Sequence, residues 1–189
     1  MSRVLRHRLG AGVAFWRLLG RDERAIAALD RLLKSFPRDA AALARRAHLQ
    51  VQAGRPARAL SDLDALVQLQ PDNAAAWFNR GFVLDRLGRW DDALGAFGRA
   101  IALDAGLDLA WYGMALVQIR LRRLDEAVVA LKRNTELQPM SPYGWYQLAR
   151  VHAENRRHDQ AWQIVRHLQG FEPKVAAQLL REIGPLPRD

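Results

Sequence analysis

The chain has 189 residues, half of them hydrophobic, with no cysteine and a net charge of +9. That length supports a substantial core in one elongated domain. The missing cysteines exclude a disulfide framework and a thiolate metal site, and no apolar run reaches the roughly 18 residues that a membrane-crossing helix needs.

The charge is concentrated at the start. Residues 1–37 hold eight basic groups against Asp22, Glu23 and Asp30, a balance of +5. Lys34, Lys132 and Lys174 are the only lysines, an arginine bias expected of a GC-rich bacterial genome. A basic end raises the expectation of acidic partners, anionic lipid or nucleic acid, and the simpler reading is a solvated cap. Within residues 1–21 the apolar run Ala11–Trp16 is short and no small-residue cleavage site follows, which argues against a secretory leader. Val4, Leu5, Leu9, Val13, Phe15, Trp16 and Leu19 alternate with Arg3, Arg6, Arg8 and Arg17. Such a helix can lie on an anionic membrane or stack on its neighbour through Leu9, Val13 and Trp16. A cytoplasmic location is expected, with a membrane-peripheral one as the alternative.

From there the chain repeats itself. Ala25, Ala59, Ala93, Ala127 and Ala161 are spaced by 34 residues without exception. Pro37, Pro71, Pro139 and Pro173 keep that period, with Ala105 in the missing place. Leu9 and Leu43 precede Trp77, Trp111 and Trp145 in the same register. Gly20, Gly54 and Gly88 give way to Arg122 and Arg156. A degenerate block is expected at 6–39, followed by blocks at 40–73, 74–107, 108–141 and 142–175 within a single domain over 1–189.

Residues 74–107 show what one block builds. Trp77, Gly81 and Leu84 recur at helical spacing, as do Trp90, Ala93, Leu94, Phe97 and Ile101. Gly88 between them supplies the positive φ that ends the first helix. Asp91 and Asp92 suit the positive end of the second helix, and small residues at Gly81 and Ala93 allow close approach. The proline of each block stops the second helix. A last helix over about 174–184 is expected to cap the stack, with Gly184, Pro185 and Pro187 ending it. One helix pair cannot bury its apolar face alone, whereas stacked pairs share a continuous core.

A 34-residue period with Trp77, Gly81, Leu84, Ala93, Phe97, Ala100 and a terminal proline resembles the tetratricopeptide repeat (TPR) family over about residues 6–175. The resemblance implies an all-α fold, a right-handed α-solenoid of stacked antiparallel helix pairs with about five repeats and a capping helix. Arg46 and Arg80 stand where the family usually carries a large apolar residue, and they are expected to lay their stems along the surface. Asn134 and His152 are polar at core-type positions.

The resemblance also implies that the first helix of each pair lines a concave groove. The residues projecting there would be Arg45, His48 and Gln52, then Phe78, Asn79, Phe82, Asp85 and Arg86. Leu109, Tyr112, Leu116 and Arg120 would follow, and Tyr143, Tyr146, Gln147 and Arg150 would complete the set. Aromatic and arginine side chains dominate binding hot spots, and arginine offers a fork to carboxylates. The expected partner is therefore a protein or peptide with apolar and acidic groups. In the family's carboxylate clamp only Asn79 matches, since Ala44, His48, Leu109 and Gly113 occupy the other places, so that specialised role is disfavoured.

No enzyme pattern emerges. The five histidines lack metal-binding spacing, Gly10-Ala11-Gly12 follows no strand, and no serine sits in a nucleophile elbow. Asp91/Asp92 and Asp125/Glu126 recur at one point of successive blocks, as helix N-termini require. No catalytic residue, metal or cofactor is implied. An interaction scaffold is the leading expectation, with a membrane-peripheral assembly factor docking through residues 1–21 as the alternative. Nucleic-acid binding rests on charge alone and is disfavoured, and nothing in the repeat points to a particular oligomeric state.

Overall fold

The computed structural model describes residues 22–184. The first helix expected within 6–39, the amphipathic start and its membrane contact, and the prolines after Gly184 lie outside the described residues. Ten helices and no strand are found among the described residues: α1 Asp22–Ser35, α2 Ala40–Gln52, α3 Pro56–Leu69, α4 Ala74–Arg86, α5 Trp90–Leu103, α6 Asp108–Arg120, α7 Leu124–Leu137, α8 Pro142–Glu154, α9 His158–Gln169 and α10 Pro173–Ile183. Helices α2, α4, α6 and α8 begin at residues 40, 74, 108 and 142, and α3, α5, α7 and α9 at 56, 90, 124 and 158. Both series advance by the 34-residue period. No described helix is long and apolar enough to cross a membrane.

The turn inside each pair is set by backbone conformation. Gly54 and Gly88 both have φ of 72°. Arg122 and Arg156, in the same register, hold φ at 62° and 57°, a left-handed conformation that a side chain disfavours. The next residue then closes each turn: the N–H groups of Arg55, Arg89, Arg123 and Arg157 donate to carbonyls five residues back at 2.8–2.9 Å. Between pairs, Asp39 and Asn73 accept from the N–H groups of Ala42 (3.1 Å) and Ala76 (3.0 Å) as N-caps. The tryptophans tie down the same loops. Trp77, Trp111 and Trp145 donate their indole N–H to the carbonyls of Pro71, Ala105 and Pro139 at 2.9–3.0 Å. Ala105 therefore keeps the acceptor role even where the proline is lost.

The helices form two compact units, residues 22–103 and residues 104–184. In the first, Ala25, Ala59 and Ala93 have no exposed surface, and Leu29, Leu43, Leu49, Leu63 and Leu84 fill the space around them. Gly81 is needed because the buried Phe97 ring lies against it: a Cβ there would stand 2.8 Å from the ring. Arg46 and Arg80 are more than surface stems. Arg46 binds Asp62 through Nε at 2.9 Å and Nη2 at 2.5 Å, and reaches Asp30 at 2.7 Å. Hydrogen bonding to Asp62 raises its pKa against the opposing effect of burial. Arg80 pairs with Asp64 at 2.7 Å. Asp30 and Asp64 each precede their arginine by 16 residues, so acid and base occur together in these two blocks; one and two periods later the same pair of places holds Gly98 with Met114 and Lys132 with Leu148. Arg55 also pairs with Glu23.

In the second unit Ala127 and Ala161 are again fully buried, among Leu131, Leu148, Val151, Val165 and Leu168. Asn134 occupies a core-type position but donates to the Asp108 carbonyl at 3.0 Å. Its side chain fills the space in which a Cβ on Gly144 would stand, which is why glycine replaces the alanine found in register at Ala42, Ala76 and Ala110. Arg157 pairs with Asp125 at 2.7 Å, the same register as Arg55 with Glu23. Helix α10 seats Ala176 and Leu179 with no exposed surface, so it closes the apolar end of this unit.

Two glycines in neighbouring helices should respond oppositely to alanine. Gly95 in α5 is exposed, and a Cβ there meets nothing within 4 Å, so Gly95→Ala gains about 1 kcal/mol of helix propensity. Gly81→Ala makes the same gain but drives the Phe97 ring out of place. Overpacking of about 1–3 kcal/mol should leave it less stable than the parent by about 1 kcal/mol. Denaturant midpoints should move in opposite directions, and a stabilised Gly81→Ala would refute the close-approach account.

Candidate functional site

Helical spacing puts five register positions of each first helix on one face. Reading α2, α4, α6 and α8 in turn, they hold Ala41, Ala75, Leu109 and Tyr143; Ala44, Phe78, Tyr112 and Tyr146; Arg45, Asn79, Gly113 and Gln147; His48, Phe82, Leu116 and Arg150; and Gln52, Arg86, Arg120 and Glu154. Within each unit the expected site residues are thus neighbours, although they differ in what they touch.

In the first unit, Ala44, Ala47, His48 and Val51 of α2 and Asn79, Phe82 and Val83 of α4 surround a depression of about 110 Å³, with Leu63 of α3 also in its wall. Phe82 is 42% exposed although it is a large apolar residue, and Arg86 lies over its ring at 5.9 Å from the centroid. Arg45, His48 and Asn79 are exposed. Phe78 belongs elsewhere: it is half-buried, with its ring 6.0 Å from that of Phe97. The walls supplied by Val51, Leu63 and Val83 were not among the expected site residues, because in sequence they look like any other core position.

In the second unit, Leu109 and Tyr143 are 52% and 71% exposed. Tyr112 is half-buried; burial pushes its hydroxyl pKa up, against a hydrogen bond with Gln147, and the nearby Tyr143 adds to the rise. Leu116 is half-buried beside them and Arg120 is exposed. Tyr146 and Arg150 are engaged within the chain. The Tyr146 hydroxyl donates to Glu182 Oε1 at 2.6 Å, and Arg150 Nε lies 3.5 Å from Glu182 Oε2. The Arg150 guanidinium also sits 5.7 Å from the Tyr146 ring centroid. An open depression of about 740 Å³ adjoins these groups, with Ile119, Glu154, His158 and Ile183 in its walls. Glu182 and Gln178 of α10 also stand beside these groups, and the sequence gives no sign of it because it marks α10 only as a cap. Their spacing of four places both on one helix face.

Three comparisons bear on this arrangement. Models described as tetratricopeptide repeat match residues 44–108, 83–133 and 112–170, and another of the same description matches 8–39. The chain belongs to the tetratricopeptide repeat family. Among solved structures it is similar to a MamA protein at 22% identity and a TM-score of 0.85, covering 96% of this chain and 98% of that one. It also resembles MamA from Desulfovibrio magneticus RS-1 at 18% identity and a TM-score of 0.80, covering 94% and 96%. YrrB, described as a TPR protein with an unusual peptide-binding site, is 19% identical with a TM-score of 0.77, covering 89% and 88%. No curated protein sequence matches the chain. At these identities the likeness concerns the fold, and together with the ten helices it shows the expected all-α TPR solenoid class. Among the described residues no group of three or more His, Asp and Glu side chains is placed to hold a metal ion.

One register position inside the first helices is unusual for this TPR chain. Gln50, Leu84, Gln118 and His152 stand 34 apart and are all buried, and Gln50 Oε1, Gln118 Oε1 and His152 Nδ1 have no hydrogen-bond partner among the described residues. Burial holds the His152 imidazole pKa below its ordinary value, and the charges of Lys132 and Arg157 act in the same direction. Above the unfolded pKa of about 6.5 the ring is neutral in both states and pH has no effect through it. Below that value the unfolded chain takes up a proton that the folded chain refuses, so stability falls with pH by at most about 1.4 kcal/mol per pH unit. Denaturant midpoints should drop between pH 7 and pH 5.5. Exchange for the glutamine found at the equivalent places, His152→Gln, should remove most of that drop, and an unchanged slope would contradict the assignment.

Proposed function

We propose that the first-helix faces hold a segment of a partner protein, extended or helical, carrying apolar side chains and at least one acidic group. On this reading the chain is a non-enzymatic interaction scaffold. The observation that carries it is the depression beside Phe82. The exposed ring stands beside a hollow walled by Ala44, Ala47, Val51, Leu63 and Val83, a concave place where one apolar side chain of a partner can be seated with polar groups in reach. Asn79 and His48 at its mouth supply hydrogen-bonding groups for a peptide backbone. Arg45 and Arg86 flank it with positive charge, which favours an acidic neighbour to the apolar anchor. Leu109 and Tyr143 offer a comparable apolar surface in the second unit. The peptide-binding site described for YrrB supports the reading by analogy of fold.

The partner can be recovered by affinity capture with the tagged chain and then titrated in purified form. Phe82→Ala should weaken its binding by about ten-fold or more, the loss of one hot-spot side chain. Val129→Ala, which trims an exposed apolar residue of the second helix α7, should leave affinity unchanged. Equal affinity for the Phe82 variant and the parent, with helicity intact, would remove this face from the reading.

A further inference from the structure

Glu182 is in an unexpected place. It lies in the last turn of α10, where the negative end of the helix disfavours a carboxylate. The carboxylate is held by three groups: the Tyr146 hydroxyl at 2.6 Å, the Gln178 amide at 3.1 Å and Arg150 at 3.5 Å. Gln178 also donates to the Tyr146 hydroxyl at 3.3 Å. The Tyr146 bond is the main cause that lowers the Glu182 carboxyl pKa. Tyr146 and Arg150 belong to the face that is read above as receiving an acidic partner, and here that face already holds an acid from the chain's own last helix.

We infer that Tyr146 and Arg150 form a carboxylate-binding subsite whose resident occupant is Glu182, and that an acidic side chain of the partner segment enters by replacing it. The inference rests on reading the first-helix faces as peptide-binding. Replacement does not require α10 to leave. Ala176 and Leu179 anchor that helix with no exposed surface, whereas the Glu182 side chain is 37% exposed and can turn into solvent by rotation of its own bonds. The depression beside it, about 740 Å³, gives an incoming chain room to approach. Glu182 thus sets a threshold: a segment without a carboxylate at this point leaves the internal contact intact, and one that carries it exchanges like for like. The partner class is an acidic segment, and the device makes its binding weaker but more selective.

The test uses the full chain and hexaglutamate as the probe, titrated at low salt into isotope-labelled protein with backbone and side-chain resonances followed by NMR. Glu182→Ala and Glu182→Gln should bind the probe about five-fold more tightly than the parent, the equivalent of one solvent-exposed charge contact, with shifts centred on Tyr146 and Arg150. Glu136→Ala removes the same charge from α7 and should change nothing. Adding Arg150→Ala to Glu182→Ala should abolish the gain. Amide exchange should remain slow at Ala176 and Leu179 in every variant, which separates release of the side chain from loss of the helix. The inference is overturned if both Glu182 variants match the parent, including the case in which none binds, or if the gain survives Arg150→Ala. Phe82 lies in the other unit, so its titration can fail or succeed independently of this outcome.

Discussion

Two antiparallel helices approach only as closely as the side chains between them allow. In this chain the described second helices each carry a small, fully buried residue at one register position, which leaves room for such an approach. Ala25, Ala59, Ala93, Ala127 and Ala161 all have no exposed surface, and the last four are each the fourth residue of their helix. A methyl group at the contact keeps the axes near, and larger residues such as Phe97, Leu131 and Leu168 fill the space to either side. Everything else in the repeat serves this contact. The left-handed turn at Gly54, Gly88, Arg122 and Arg156 brings the second helix back at the right point, and the tryptophan bonds to the loop carbonyls fix where the next pair begins.

Because the contact fixes helix rotation, it also decides which residues face outward from the first helices. The same five register positions are presented each time, and their chemistry changes along the chain. The small Ala44 leaves a hollow beside Phe82, whereas Leu109, Tyr112, Tyr143 and Tyr146 occupy the corresponding faces of the second unit. The scaffold is uniform and the decoration is individual, which is how one fold accommodates different partners. Arg46 spans from the exposed Asp30 to the buried Asp62, and the desolvation of such a pair offsets much of its mutual attraction.

Much of the fold was legible because a 34-residue period shows which positions are equivalent. It located the turns, the small-residue contacts and the acidic first turns of α5 and α7. A period does not reveal what an equivalent position touches. The bond from Trp77 to the Pro71 carbonyl, the bidentate hold of Arg46 on Asp62 and the fit of Asn134 against Gly144 all depend on side-chain direction across helices, which no spacing rule encodes. The candidate site divides in the same way. Its outward positions follow from helical geometry together with the family resemblance. The walls of the hollow come from Val51, Leu63 and Val83, which resemble ordinary core residues, and the occupant of the Tyr146–Arg150 subsite comes from a helix read as a cap.

The claim on which the rest depends is that the buried alanine contact holds each pair in register. It is tested most directly by enlarging that side chain in each unit, Ala93→Leu in one and Ala127→Leu in the other, and measuring equilibrium unfolding. Each variant should lose about 1–3 kcal/mol by overpacking, despite leucine's good helix propensity and added hydrophobicity. Unfolding free energies equal to or above the parent's would contradict the account.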